Sequence, residues 1–322
     1  MPLNSIAKNT LVLFLLVFFT NSGYAQSDSG EKEGKLIFNS GFEGSVRVVP
    51  RGKEADIIGQ EPNLRKSDWE KDLDENPDIG VFTLQFQGGD STMRNAKIVP
   101  DPTNAENQVL MFSLKAPNVS GYKGRVQANL YGNPDLREVY ESVKVFLSPD
   151  FRILCSCPGK IDWLTIEEFW NDITWSPKDS LGFRITLGIG KPKGFTKNLY
   201  FTIKAENYSK KDGYSTLWAA SNREVSVPIN SWFTLKTYFK EGDYNTGRFY
   251  VAIQSPHENE KIVYDIHNYT HNSFDLSPDG LMHFNPLKLY TSKQIIEYMK
   301  KSGKELKIYW DDFELWKNIA PQ

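Results

Sequence analysis

Cysteine is almost missing from this chain: Cys155 and Cys157 are the only two in 322 residues. So few cannot build a disulfide framework, and the fold must stand on its core. In an extended segment the two side chains would point the same way with Cα atoms ~7 Å apart, at the limit of bridging, which predicts an unpaired, partly buried pair. A zinc site would need two further ligands, and none of the four histidines, His257, His267, His271 and His283, is near in sequence. A charge excess is missing too: 38 basic residues face 40 acidic ones, for a net charge of −2, which favours neither nucleic acid nor an anionic membrane surface as partner. Long apolar runs are confined to Leu11–Phe19, about half the ~20 residues that a membrane-spanning helix needs. Lys8 before that run and Gly23-Tyr24-Ala25 after it match a signal peptide over residues 1–25, and no cysteine follows to take a lipid anchor. The expectation is an exported protein, secreted or periplasmic, with no transmembrane segment. Residues 26–34 are polar and charged and read as a flexible leader.

What is present is alternation. Phe183, Ile185, Leu187 and Ile189 share a face, as do Leu199, Phe201, Ile203 and Ala205, while polar residues fill the places between. Phe233, Leu235, Thr237 and Phe239 alternate likewise, and after the turn Gly242 to Gly247 the chain returns through Phe249, Val251 and Ile253 as an antiparallel hairpin. This period of two marks half-buried strands. Further strands are predicted at Val81–Phe86, Val109–Leu114, Arg125–Tyr131, Ser142–Leu147, Leu164–Trp170, Ile262–Ile266, Leu287–Tyr290 and Leu306–Leu315. Arg51 to Asp78, charged and interrupted by Pro62 and Pro77, reads as a long loop. One short helix is predicted, capped by Thr291 with Gln294 three residues later, striped by Ile295, Ile296 and Met299, and ended by Gly303. Many strands without an internal repeat or composition break predict a single all-β domain over residues 35–318, two packed antiparallel sheets with one C-terminal connector helix.

Three segments carry a resemblance. KIYWDDFELW, Lys307 to Trp316, resembles the closing strand of concanavalin A-like lectin/glucanase and jelly-roll polysaccharide lyase domains. LIFNSGFEG, Leu36 to Gly44, resembles their opening strand, and WFTLKTYFKEGDYNTGRFYVAI, Trp232 to Ile253, is similar to their usual hairpin. The resemblance implies a jelly-roll sandwich with its first and last strands side by side. It implies carbohydrate as the ligand more than it implies any one reaction.

Arg125, Gln127, Asn129 and Tyr131 fall on one face of a strand whose other face is apolar. Jelly-roll lyases commonly carry an arginine with amide side chains on a concave strand, so the resemblance implies that these four are catalytic residues of a uronate site. The chemistry agrees: an Arg with Gln or Asn neutralises the carboxylate and acidifies the neighbouring proton, which a Tyr or His then moves. Arg184, Tyr200, Lys204 and Glu206 form a polar row that would extend this groove if its strands are neighbours, and Trp170 beside Glu168 offers a stacking platform. Glu168 and Asp172 on an extended strand lie ~13 Å apart, beyond the ~6.5–9.5 Å of inverting glycosidases, so a two-carboxylate hydrolase is the weaker alternative. Tyr238-Phe239-Lys240-x-Gly242 resembles part of the signature of one alginate lyase family, which makes Tyr238 and Lys240 groove candidates, although the chain runs on well beyond it. His271 or His283 could serve as acid or base. No cofactor is required by this chemistry, but Glu43 on the first strand and Asp311 with Asp312 on the last could meet around a structural Ca²⁺. The leading reading is a polysaccharide lyase-like enzyme acting on an acidic glycan by β-elimination; the alternative is a noncatalytic carbohydrate-binding protein.

Overall fold

The computed structural model describes residues 34–321 apart from 53, 65–66, 74–75, 77–78, 88–91, 119–120, 134–135, 172–180 and 210–211. The expected signal segment, most of the leader and Asp172 lie outside these residues. Two antiparallel sheets face each other. The larger runs in the order Gly213–Ser226, Tyr200–Ser209, Phe183–Gly190 and Leu164–Trp170. His283–Asn285 and Lys288–Ser292 then share one place, followed by Lys123–Tyr131, Val81–Gln87, Glu54–Ile58 and Arg47–Arg51. The smaller runs Lys261–His267, Arg248–Gln254, Trp232–Lys240, Glu138–Leu147, Leu306–Lys317, Gln108–Leu114 and Arg94–Pro100. The opening strand Lys35–Ser40 pairs with the closing strand Leu306–Lys317, as the paired resemblances predict. This is the expected jelly-roll sandwich. No helix among the described residues is long and apolar enough to cross a membrane.

Alternation decides which face is which. Val126, Ala128 and Leu130 point into the core while Arg125, Gln127, Asn129 and Tyr131 point away from it, and the smaller sheet supplies Val143, Val145 and Leu235 from the other side. Phe169 of the larger sheet stacks on Phe239 of the smaller at 5.9 Å between ring centres and meets Phe249 edge-on at 4.9 Å. Each such fully buried ring contributes about 1.5–3 kcal/mol of hydrophobic stabilisation.

Three expectations change. The stretch from Arg51 to Asp78 is not a plain loop: Glu54–Ile58 pairs with Arg47–Arg51 and Val81–Gln87, and Trp69 on a short π-helical turn is fully buried among Phe38, Phe42, Phe82 and Phe313. That buried indole anchors the charged segment to the core. The cysteines are free and buried as expected, but Cys155 lies within a 3₁₀ helix over Pro149–Ser156 and Cys157 just beyond its end, rather than on an extended segment. The helix spans Lys293–Lys301 with Ser292, not Thr291, as its cap: the Ser292 hydroxyl accepts from the Ile295 N–H, while Thr291 lies within the preceding strand with its hydroxyl bonded to the Trp163 carbonyl.

Candidate functional site

Three neighbouring strands build the centre of the larger sheet's outer face. Lys123–Tyr131 brings Arg125, Gln127, Asn129 and Tyr131, and Leu164–Trp170 brings Glu168 and Trp170. The short segments between them bring His283, Asn285, Lys288 and Tyr290. Register sets Lys288 opposite Gln127 and Tyr290 opposite Arg125 on one side, and His283 opposite Trp170 and Asn285 opposite Glu168 on the other.

The result is a sealed polar network. Asn129 Oδ1 accepts from Gln127 Nε2 and, at 2.7 Å, from Asn285 Nδ2, with His283 Nε2 at 3.1 Å. Lys288 Nζ donates to Asn285 Oδ1 at 2.8 Å and pairs with Glu168. Gln127, Asn129, Asn285 and Lys288 are 0 % exposed. Of the four residues expected to be catalytic, Gln127 and Asn129 are thus fully buried, and their amides bond to each other, to Asn285 and to the Thr83 carbonyl. Tyr131 is half-buried, its hydroxyl accepting from Gln85 Nε2 at 2.7 Å and its ring lying 4.5 Å from that of His283. Trp170 is also buried, packed against Arg184 and His283.

Burial sets the charges here. It pulls the Lys288 ammonium down to about 7, against the attraction of Glu168 and with help from the nearby Arg125. Burial also opposes the Glu168 carboxylate, but Lys288 and Arg184 outweigh it and hold the group below its ordinary value. His283 is pushed down to about 3 by burial and by Lys288, so its imidazole is neutral at physiological pH.

Beside this network the sheet opens into a groove of about 1030 Å³. Its floor includes Tyr290, Glu168, Arg184, Thr165, Thr186 and Thr202, and Tyr200, Lys204 and Tyr214 line it as well. Gly190 keeps the floor low: a Cβ there would come within 2.6 Å of the Ile161 carbonyl oxygen. Seven Lys or Arg line the groove against three carboxylates. Arg184 is bound to Glu206 through Nε at 2.7 Å, lies 3.6 Å from Glu168 and is sandwiched by Trp170 and Tyr214, with ring centres at 5.1 and 4.2 Å. Lys123 and Arg125 are different. Among the described residues neither has a carboxylate at ion-pair distance, and with Lys288 they surround the Tyr290 ring at 5.5, 5.7 and 5.2 Å. The Tyr290 hydroxyl is pushed up to about 12 by burial and by Glu168. It therefore keeps its proton at neutral pH.

The structure thus brings Glu168, Arg184, Tyr200 and Lys204 to one groove, with Arg125 beside the Tyr290 ring that lines it. It does not bring Tyr238 and Lys240 there. Both lie on the smaller sheet, where Tyr238 packs with Tyr140 and Tyr250 and donates to Glu138 at 2.8 Å, because the hairpin that carries them belongs to the other layer. Glu43 accepts from the Gln108 backbone N–H, Asp311 from Asn107, and Asp312 pairs with Lys144. Burial and Asp312 raise the Asp311 carboxyl to about 7. Among the described residues no three His, Cys, Asp or Glu side chains converge in a way that would hold a metal ion. Sequence reasoning missed Lys288 and Tyr290. The signal was there: Lys288-Leu289-Tyr290 alternates polar, apolar, polar at a predicted strand.

The chain is similar to polysaccharide lyases and lectin-like domains. An endo-β-1,4-glucuronan lyase from the fungus Trichoderma reesei is 13 % identical with a TM-score of 0.46, covering 72 % of this chain and 90 % of its own. A marine alginate lyase from Aplysia kurodai is 10 % identical with a TM-score of 0.40, covering 74 % and 90 %. A legume lectin-like domain from Entamoeba histolytica is 10 % identical with a TM-score of 0.38, again covering 74 % and 90 %. No family model matches the chain, and no curated protein matches it.

Proposed function

We propose that this is an exported protein that binds an acidic polysaccharide in the cationic groove and cleaves it by β-elimination. The observation that carries the reading is Tyr290: a proton-bearing group lining the groove, ringed by two cations that have no carboxylate at ion-pair distance among the described residues and by a lysine whose ammonium burial has weakened. A uronate carboxylate placed over this floor would face Lys123 and Arg125. Those cations would stabilise the negative charge that builds as the neighbouring carbon loses its proton.

Tyr290 is the acid of this reading: it holds its proton at neutral pH, a carbon–carbon double bond forms as the proton beside the uronate carboxylate passes to water and the bond to the leaving oxygen breaks, and the phenol gives its proton to that oxygen and regains one from solvent. Lys288 is fully buried, and its ammonium lies 5.2 Å from the Tyr290 ring centre. The likeness to solved lyases is one of shape, and the reading rests on the site alone.

The test is the ultraviolet absorbance of unsaturated uronate while purified protein is mixed with a panel of acidic polysaccharides, beside Arg125→Ala and Tyr290→Phe. A rise with wild type that both substitutions abolish supports elimination in this groove. Retention on immobilised glycan with no rise on any substrate would sink the enzyme reading and leave a carbohydrate-binding protein.

A further inference from the structure

The groove does not end at Tyr290. The Trp163 indole meets that ring edge-on, 5.0 Å between ring centres at 85°. Its surroundings also form the wall of a second hollow of about 500 Å³, on the side of the helix Lys293–Lys301. Trp163 lines both spaces, so the two adjoin at one side chain.

The second hollow has the same chemistry as the first. Three aromatic residues line it: Trp163, Tyr298 and Tyr122, the last 84 % exposed. Lys293 and Lys301 stand one at each end of the helix, and Glu297 is the one carboxylate among the lining residues. Lys293 is held 3.6 Å from Glu297, whereas Lys301 has no ion-pair partner among the described residues. The hollow is fixed in place, because the Lys293 backbone N–H donates to the Tyr122 carbonyl at 2.5 Å and ties the helix start to the Tyr122 turn. Aromatic faces bury the apolar faces of sugar rings, and lysines at the rim answer carboxylates.

We propose that this hollow is an outer subsite for the same acidic glycan, taking the sugars that lie beyond Trp163 while Tyr290 acts on the bond inside the groove. The inference rests on the glycan-binding reading above and adds a direction to it: the chain leaves the groove over Trp163 toward the helix. It makes the protein sensitive to chain length, since a short oligosaccharide fills the groove without reaching the hollow.

The experiment compares wild type with Lys293→Glu/Lys301→Ala and with Tyr122→Ala on uronate oligosaccharides of increasing length, following cleavage or, if none occurs, affinity by tryptophan fluorescence. Lys293→Glu places an acid at a helix start, where the helix dipole favours it, so the first variant keeps its fold. Exposed charge contacts are individually weak, so the expected effect is a rise of about three- to tenfold in KM or Kd for long chains, with kcat and all constants for the shortest substrates unchanged. Equal effects on short and long chains, or none on either, would overturn the outer subsite and leave the groove standing. If wild type neither cleaves nor retains any acidic glycan, both readings fall together.

Discussion

Glu167 and Glu168 are consecutive residues of one strand, both buried, and their carboxyls are driven in opposite directions. Glu168 faces outward, meets Lys288 and Arg184, and is held ionised. Glu167 faces the core, where the Thr237 hydroxyl only partly offsets burial, and its carboxyl rises well above 4.5. Burial and the charge of Glu167 raise the carboxyl of Glu141, on the opposite sheet, in the same way. Thr237 is the residue directly opposite Glu141 in the smaller sheet, so all three meet across the core. Residue type and burial are the same; what differs is whether a cation reaches the carboxyl. Electrostatics inside this sandwich is decided by face, not by depth.

The sharpest way to break the contrast is to remove the cation. Lys288→Met should leave Glu168 buried beside a weaker partner and cost about 3–5 kcal/mol in urea unfolding. A Glu168→Leu/Lys288→Met double variant should recover much of that loss. Equal losses in both would show that packing, not charge, sets the stability of the outer network. On the groove side, Tyr290→Phe should lower the elimination rate by about a hundredfold or more while glycan retention persists. A variant that loses binding and rate together would make Tyr290 a contact rather than a proton carrier.

The two carboxyls should also separate by pH. Glu141 and Glu167, raised in the folded state, lend stability that is complete below 4.5 and is lost as pH rises from there through their folded values. Glu168, lowered in the folded state, lends stability present above 4.5 and lost as pH falls through its folded value. Glu141→Gln/Glu167→Gln should therefore flatten the decline of melting temperature on the alkaline side and leave the acid side alone. An unchanged alkaline limb would mean that the core pair does not titrate with folding. The smallest effect belongs to the other outer face: Tyr238→Phe should cost about 1 kcal/mol for its hydrogen bond to Glu138 and change neither glycan binding nor cleavage.

The layers of the fold were legible because alternation is local: Val126, Ala128 and Leu130 against Gln127 and Asn129 needed no knowledge of partners. The edge strand Gly213–Ser226 was not, since it is largely exposed and shows no apolar period. Burial of the polar face was also out of reach. Gln127 and Asn129 look like solvent-facing residues until His283, Asn285 and Lys288, more than 150 residues on, are threaded between their strand and Leu164–Trp170. Tyr238 and Lys240 show the reverse error, in which a local motif was right as a hairpin and wrong as to which sheet it joined.

One detail at the groove rim bears on the conditions in which this protein can work. The Lys191 ammonium is buried among four backbone carbonyls, those of Cys157, Gly159, Pro192 and Gly194, bonding them at distances that include 2.8, 3.2 and 2.8 Å. That is the arrangement a loop adopts around a captured ion, except that here the ion is tethered by its own side chain. A chelator has nothing to extract, and dilution has nothing to wash out. The outline of the rim should be the same in dilute buffer and in brine, fixed by the polypeptide itself and not by what the surrounding water happens to contain.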